Sequence, residues 1–219
     1  MVLDFLKRAG RAEAPVEKKA SATGRVVAWG NAGRVAWSPR DVVSLTKTGF
    51  QGNPVGFRAV KLIAEAAAAL PVVCQDAERR YDTHPVLTLL ARPNAGQGRA
   101  ELLEAVYGFL LLSGNAYLEA VPGAGRLPGE LHVLRSDRMA LVPGADGWPV
   151  AYDYSVGNAR HRFSMTGDVQ PICHIRSFHP QDDHYGLSPM QAAAVAVDVH
   201  NSASAWSKAL LDNAARPSG

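Results

Sequence analysis

Residues 185–189 (YGLSP) stand directly before a long Ala/Val-rich run that contains neither Gly nor Pro. Ser188 suits the N-cap position of a helix, Pro189 suits the first helical position, and Gln191 stands at N3. The pattern predicts one helix over residues 189–214, roughly 40 Å long at about 1.5 Å per residue. A chain of 219 residues can cover such a helix only poorly, so we expect it to protrude or to pack against copies of itself.

The predicted helix is apolar over most of its surface. Its charged residues are Asp198, Lys208 and Asp212. Because small apolar residues occupy most other positions, the sequence favours packing against identical helices in a ring. Val197, Trp206 and Leu210 are the candidate interface residues. A buried central helix of a monomer is the alternative interpretation.

The composition, with 47% hydrophobic residues, is that of a globular protein with a sizeable core. The longest apolar stretch, residues 66–74, contains Pro71 and is far shorter than the roughly 20 residues that span a bilayer. The apolar patch at the N-terminus holds Asp4 and precedes the basic residues, the reverse of a secretory signal. We therefore expect no membrane segment and a cytoplasmic protein. Cys74 and Cys173 form no CxxC pair and are predicted to be reduced core residues.

Positive charge is concentrated near the N-terminus. Residues 1–48 hold nine Lys/Arg against four Asp/Glu, whereas residues 49–219 hold fourteen against sixteen. Nucleic-acid affinity depends largely on cations that contact phosphates, so we expect any DNA contact to come from the N-terminal arm. The candidate residues in this arm are Lys7, Arg8, Arg11, Lys18 and Lys19.

The central part of the chain predicts helices followed by strands. Apolar periodicity and cap residues indicate helices over residues 53–70, over 83–90 with Thr83 as the cap, and over 99–113 followed by Gly114 in the left-handed conformation. Alternation with a period of two then predicts an antiparallel meander with strands at residues 116–121, 131–134, 139–142, 150–154, 162–165 and 172–175. The fold class is therefore α+β: N-terminal helices, an antiparallel sheet and one long helix.

Two further patterns have structural explanations. Residues 122–129 contain three glycines, but they lack the spacing of a phosphate loop and lie between predicted strands, which favours a hairpin tip. Asn115 and Tyr117 stand beside Gly114, where we expect them to satisfy a helix-to-strand corner rather than line a pocket.

A group of histidines is the main candidate for chemistry. His174, His179 and His184 lie within twelve positions together with Cys173, Asp182 and Asp183. These residue types could serve a metal-dependent enzyme, which is the alternative function. Their spacing matches no common structural zinc pattern, and a strand that feeds a loop and a capped helix also requires polar residues. We expect no metal, no cofactor and no catalytic residue.

Five short segments follow one another in an order that is specific when they are taken together. They are residues 84–94 (HPVLTLLARPN), 111–117 (LLSGNAY), 174–176 (HIR), 185–189 (YGLSP) and 213–219 (NAARPSG). In this order they resemble the portal proteins of tailed phages, of the HK97-like type found in prophages and gene transfer agents.

Composition and charge predict a mobile basic arm over residues 1–44. For the rest of the chain, the resemblance implies a wing-like α+β domain over 45–187, a stem-like long helix over 188–215 and the start of a clip region at 216–219. Members of the family continue with the clip, a second stem helix, a tunnel loop and a crown. The chain is therefore expected to be the N-terminal part of a portal.

The function implied by the resemblance is structural rather than enzymatic. Portal subunits form a homo-oligomeric, dodecameric ring at one capsid vertex, through which double-stranded DNA is packaged and ejected. The implied partners are the major capsid protein, terminase, head-tail connector proteins and the DNA in the channel, with no membrane. The implied location is the bacterial cytoplasm during assembly and then the virion or virus-like particle.

Overall fold

The computed structural model describes residues 37–124, 127–167 and 170–213. The helices are α1 (Val42–Leu45), α2 (Pro54–Ala68), α3 (Pro85–Ala91), α4 (Arg99–Ser113), α5 (Pro189–Ala192) and α6 (Ala194–Asp212). A π-helical turn (Thr46–Gln51) links α1 to α2, and a 3₁₀ turn (Ser136–Arg138) precedes the fifth strand. The strands are β1 (Cys74–Gln75), β2 (Arg80–Tyr81), β3 (Asn115–Pro122), β4 (Pro128–Leu134), β5 (Met139–Pro143), β6 (Pro149–Val156), β7 (Ala159–Ser164) and β8 (Ile172–Arg176).

The helix boundaries follow local signals in the sequence. Asn53 caps α2, since its Oδ1 accepts the Gly56 N–H at 2.8 Å, and α4 has the predicted bounds. The predicted cap of α3 was wrong by one residue. His84, not Thr83, is the N-cap, because Pro85 occupies the first helical position and His84 Nδ1 accepts the next free N–H.

The strands form two three-stranded antiparallel sheets rather than one meander. The strand orders are β4-β3-β8 and β5-β6-β7, and β1 and β2 form a separate short pair. Strands β5, β6 and β7 do follow one another as a meander. Strand β8 instead crosses back to the free edge of β3, where Tyr117 lies opposite His174.

Two apolar cores lie next to each other in this fold. The sheet core contains Tyr117, Met139, Leu141, Tyr152, Phe163, Ile172 and Tyr185. The helical core contains Leu45, Val60, Leu112, Met190 and Ala194. Since Leu45 is buried in the helical core, α1 belongs to the body, and the expected arm boundary at residue 44 falls inside a packed element.

The two cysteines are free thiols, as predicted, but they are not core residues. Cys74 is half-buried, and Cys173 is exposed because it points away from the buried face that its neighbour Ile172 occupies on β8. In the described ranges, no helix has the length and the apolar character that crossing a membrane requires.

Candidate assembly interface

The end of α4 crosses the loop that leads into α5 at two glycines. Gly114 has a φ of 73°, a left-handed conformation that favours glycine. A Cβ on Gly114 would lie 2.4 Å from the Gly186 carbonyl oxygen, and a Cβ on Gly186 would lie 2.0 Å from the Gly114 carbonyl oxygen. The two backbones approach this closely because neither residue carries a side chain.

Asn115 fastens the same loop to the start of β3. Its Oδ1 accepts the Gly186 N–H at 2.8 Å, and its Nδ2 donates to the Ser113 carbonyl at 2.7 Å. The side chain is fully buried, so these bonds replace the ones it would make with water. The prediction that Asn115 satisfies a helix-to-strand corner is confirmed.

Ser188 ties the start of the long helical segment to the end of α4. Its Oγ accepts the Gln191 N–H at 3.2 Å, as predicted for an N-cap, and lies 2.9 Å and 3.0 Å from the carbonyl oxygens of Leu111 and Leu112. One hydroxyl thus caps α5 and donates to α4. The corner unites three of the five segments that carry the family resemblance: residues 111–117, 174–176 and 185–189.

His174 lies in the sheet core beside this corner. Its ring stacks on Tyr117 with centroids 4.3 Å apart, while Nε2 lies 3.0 Å from Asn115 Oδ1 and Nδ1 lies 3.2 Å from the Tyr152 hydroxyl. Because Asn115 Oδ1 accepts hydrogen bonds, these contacts favour the proton on Nε2. Burial raises the pKa of Tyr117 well above its usual value and that of Tyr152 to about 12, so both hydroxyls stay neutral at physiological pH.

The other members of the histidine group support turns. His179 Nδ1 accepts the Gln181 N–H at 3.0 Å, and Asp182 Oδ1 accepts the N–H groups of His184 and Tyr185, each at 2.8 Å. Across residues 37–124, 127–167 and 170–213, no three His, Cys, Asp or Glu side chains come together in a group that could hold a metal. These contacts lend no support to the alternative of a metal-dependent enzyme.

The predicted long helix is divided locally but remains one rod. Ala193 interrupts the α-helical pattern, yet its N–H is bonded to the Pro189 carbonyl at 3.0 Å, and its own carbonyl accepts the Val197 N–H at 3.0 Å. The helical path therefore runs from Pro189 to Asp212. The last predicted residue, 214, lies outside the described ranges.

Polar side chains hold the root of α6 to the body. Asp198 accepts the Ser38 N–H at 2.9 Å and the Ser38 hydroxyl at 2.6 Å. Asn201 donates to the Thr48 carbonyl at 3.0 Å and accepts from Asn53 Nδ2 at 2.9 Å. Sequence reasoning missed these anchors, although two polar residues three positions apart on an apolar helix were a usable signal.

Beyond Asn201 the helix leaves the body, as expected for a protruding segment. Every residue from 202 to 209 is exposed. At 3.6 residues per turn, Val195, Val199, Trp206 and Leu210 fall within about 60° of one another. These four residues form what we call the outer stripe, in which Val199 is 56% and Trp206 is 68% exposed.

The three candidate interface residues do not share one surface. Trp206 and Leu210 lie on the outer stripe, but Val197 is about 180° from Trp206 around the helix. Val197 is half-buried and packs against the helical core. The expectation that Val197 faces a partner together with Trp206 therefore does not fit the geometry.

A groove separates α2 from the α5–α6 rod, and we call it the α2–α6 groove. It has a volume of about 410 Å³ and an apolar lining that includes Val55, Ala59, Ile63, Ala193, Ala196 and Val197. Val55 and Ile63 are 62% and 52% exposed.

The candidate DNA-contacting residues Lys7, Arg8, Arg11, Lys18 and Lys19 lie outside the described residues.

Comparison with known families identifies the chain. The phage portal protein family matches residues 54–219, which include the corner and the protruding helix. The chain belongs to this family. It is 31% identical over 174 residues to uncharacterized proteins of Rickettsia bellii (strain RML369-C) and Rickettsia felis (strain ATCC VR-1525 / URRWXCal2). Each of these alignments covers 78% of this chain and 44% of the relative.

Solved structures of gene transfer agent (GTA) particles contain similar chains. A chain from the neck of an empty GTA particle, computed with C6 symmetry, is 75% identical, with a TM-score of 0.78 over 90% of this chain and 54% of that one. A chain from the neck of a native GTA particle, computed with C12 symmetry, is 71% identical, with a TM-score of 0.72 over 90% of this chain and 52% of that one. The portal chain described here thus spans about half the length of the proteins it matches.

Proposed function

We propose that this chain is part of a structural portal subunit that forms a homo-oligomeric ring in the neck of a GTA-type particle. The observation that carries the proposal is the 75% identity to a chain in the neck of a GTA particle. At that identity, fold and assembly are generally shared, and no catalytic constellation is needed for a ring. The C12 symmetry of one related neck supports a dodecamer.

The protruding helix supplies a physical reason for ring formation. The outer stripe presents Val199 and Trp206 to solvent on a helix whose root is fixed by buried polar anchors. A contact between this stripe and a different surface of the next copy is heterologous, and such contacts close into rings when the rotation permits. Residues 188–215 would then form the stem and residues 45–187 the wing, with α1 and Ser38 added to the wing.

The charge of the described residues suits a conduit for double-stranded DNA. Asp198 is bonded to Ser38, and Lys208 pairs with Asp212, so α6 offers phosphates little net positive charge. DNA can slide past such a surface without being held. The residues most able to contact DNA remain those of the N-terminal arm.

The remaining partners follow from this role. In a portal ring these partners would be the major capsid protein, terminase during packaging and head-tail connector proteins after it. Assembly would take place in the bacterial cytoplasm and end in the particle.

Labelling of intact particles tests the proposal. Gly157 lies in a turn between β6 and β7 and has open space around it, so a short epitope tag inserted there should leave the fold intact. Gold-labelled antibody on particles from cells that carry the tagged gene should mark one vertex, at the neck. Labels distributed over the whole shell, or absent from particles, would contradict a portal role.

A further inference from the structure

The α2–α6 groove leaves apolar side chains open to solvent beside a closed core. Val55 and Ile63 on its rim are 62% and 52% exposed, whereas Val60 and Met190 at its base are 6% and 7% exposed. Apolar surface of this kind next to a packed core marks a place where another segment binds. The groove is distinct from the outer stripe, which faces another side of α6.

The chain leaves the described body at Ser38, on the far side of α6 from this groove. Ser38 is bonded through its N–H and its hydroxyl to Asp198. At about 100° per residue, the Asp198 side chain lies about 100° to 160° around the helix from Ala193, Ala196 and Val197 of the groove lining. Half the circumference of a helix about 10–12 Å across is about 16–19 Å, which five or six extended residues at about 3.3–3.6 Å each cover. Trp29 stands nine positions before Ser38 and is therefore within reach of the groove.

Those residues have the composition of a segment that binds an apolar groove. Residues 26–36 (VVAWGNAGRVA) contain one charged side chain, Arg34, in contrast to the many charges of residues 1–25. Trp29 is the largest apolar side chain among them. The other tryptophans, Trp37, Trp148 and Trp206, are 40%, 66% and 68% exposed.

We propose that residues 26–36 bind in the α2–α6 groove of their own chain, with Trp29 as the anchoring side chain. The bonds of Ser38 to Asp198 tether this segment to α6, and a short tether gives an effective concentration in the millimolar range. The same segment of another copy is not tethered to this α6, so it lacks this effective concentration. This docking covers the apolar side chains of the groove.

Cross-linking tests the proposal in the intact chain. In a background of Cys74→Ala and Cys173→Ser, Ala28→Cys is combined with Ala196→Cys in the groove, and a short bismaleimide is added. The matched control replaces Ala196→Cys by Ser202→Cys, an exposed position on another side of the same helix. Both positions share the tether through Ser38, so only docking favours the groove pair. That pair should cross-link within one chain at least about tenfold more than the control. Equal yields, or a product with the mass of two chains, would overturn the proposal.

Fluorescence gives a second and independent readout. The substitutions Trp37→Phe, Trp148→Phe and Trp206→Phe leave Trp29 as the sole tryptophan, and its emission should be blue-shifted and protected from acrylamide. Ala196→Glu puts a carboxylate in the apolar groove and should abolish this protection, whereas Ser202→Glu should preserve it. Emission typical of solvent-exposed tryptophan before either change would refute the docking. Such emission would not contradict the proposed ring, because the docking of residues 26–36 takes place within one chain and the ring depends on contacts between chains.

Discussion

The Gly114 carbonyl oxygen lies so close to Gly186 that position 186 has no room for a Cβ atom. A Cβ on Gly186 would lie 2.0 Å from that oxygen and 2.7 Å from the Ser177 nitrogen. Both atoms are backbone, and the Ser177 N–H is itself bonded to the Gly114 carbonyl at 2.9 Å. The corner therefore depends on glycine at this position.

We predict that Gly186→Ala destabilises the protein by about 3 kcal/mol or more, at the upper end of the cost of overpacking. The matched control is Gly157→Ala, since Gly157 has a φ of 58° but open space around it. The free energy of unfolding of this control should fall by only about 1–2 kcal/mol, the cost of a left-handed conformation in a residue that carries a side chain. The check is urea unfolding of both variants, and equal losses would show that the close approach at the corner does not matter.

Asp153 links β6 to β7 through a buried carboxylate. Its side chain is 1% exposed and accepts from Arg162 Nε at 2.7 Å and from Nη2 at 2.9 Å. The hydrogen bonds to Arg162 hold the pKa of Asp153 below its usual value. Because the folded-state pKa is the lower one, this pair stabilises the fold above about pH 4, the ordinary pKa of aspartate, and the stabilisation is lost as the pH falls through the folded pKa.

We predict that Asp153→Asn lowers the free energy of unfolding at pH 7 by about 1–3 kcal/mol, the range for hydrogen bonds to charged groups. The melting temperature of the variant should also vary less with pH below 4 than that of the unmodified protein. Asp212→Asn, which removes an exposed ion pair with Lys208, is the control and should change neither quantity measurably. An unchanged acid profile in Asp153→Asn would disprove the role of this carboxylate.

The sequence predicted those elements whose signals are local. The bounds of α4, its Gly114 terminator and the Ser188 cap are all encoded within a few positions, and all three were predicted correctly. The pairing of β8 with β3 and the bond of Asn53 to Asn201, 148 positions apart, depend on tertiary packing that no local pattern reports. The outer stripe was predicted only in part, since Trp206 and Leu210 belong to it and Val197 does not. The bonds of Asp198 and Asn201 decide which face of α6 contacts the body, and their partners are distant in the sequence.

The arm gives a prediction about DNA. Residues 1–36 hold seven Lys/Arg against three Asp/Glu, and the remaining residues hold sixteen against seventeen. We predict that duplex binding at low salt comes from the arm and vanishes near physiological ionic strength, where screening is strong. The measurement is a salt titration of residues 1–219 beside residues 37–219, a boundary that keeps Ser38 and α1 in the body. Salt-resistant binding by the shorter chain would instead indicate a DNA-binding surface on the body.

The outer stripe gives the prediction that separates assembly from folding. Trp206→Lys and Val199→Lys should prevent association without changing the unfolding midpoint, because both side chains are exposed in one chain. Ser204→Lys, also exposed but about 160° from Trp206 around the helix, is the control and should still associate. Unfolding of the two stripe variants would mean that these residues belong to the core.

Light scattering of the purified protein at tens of micromolar, roughly where weak interfaces are populated, tests the ring most directly. The account predicts masses well above the 23.3 kDa of one chain for the unmodified protein and for Ser204→Lys, and a single-chain mass for Trp206→Lys. A clean single-chain mass for the unmodified protein would contradict the account.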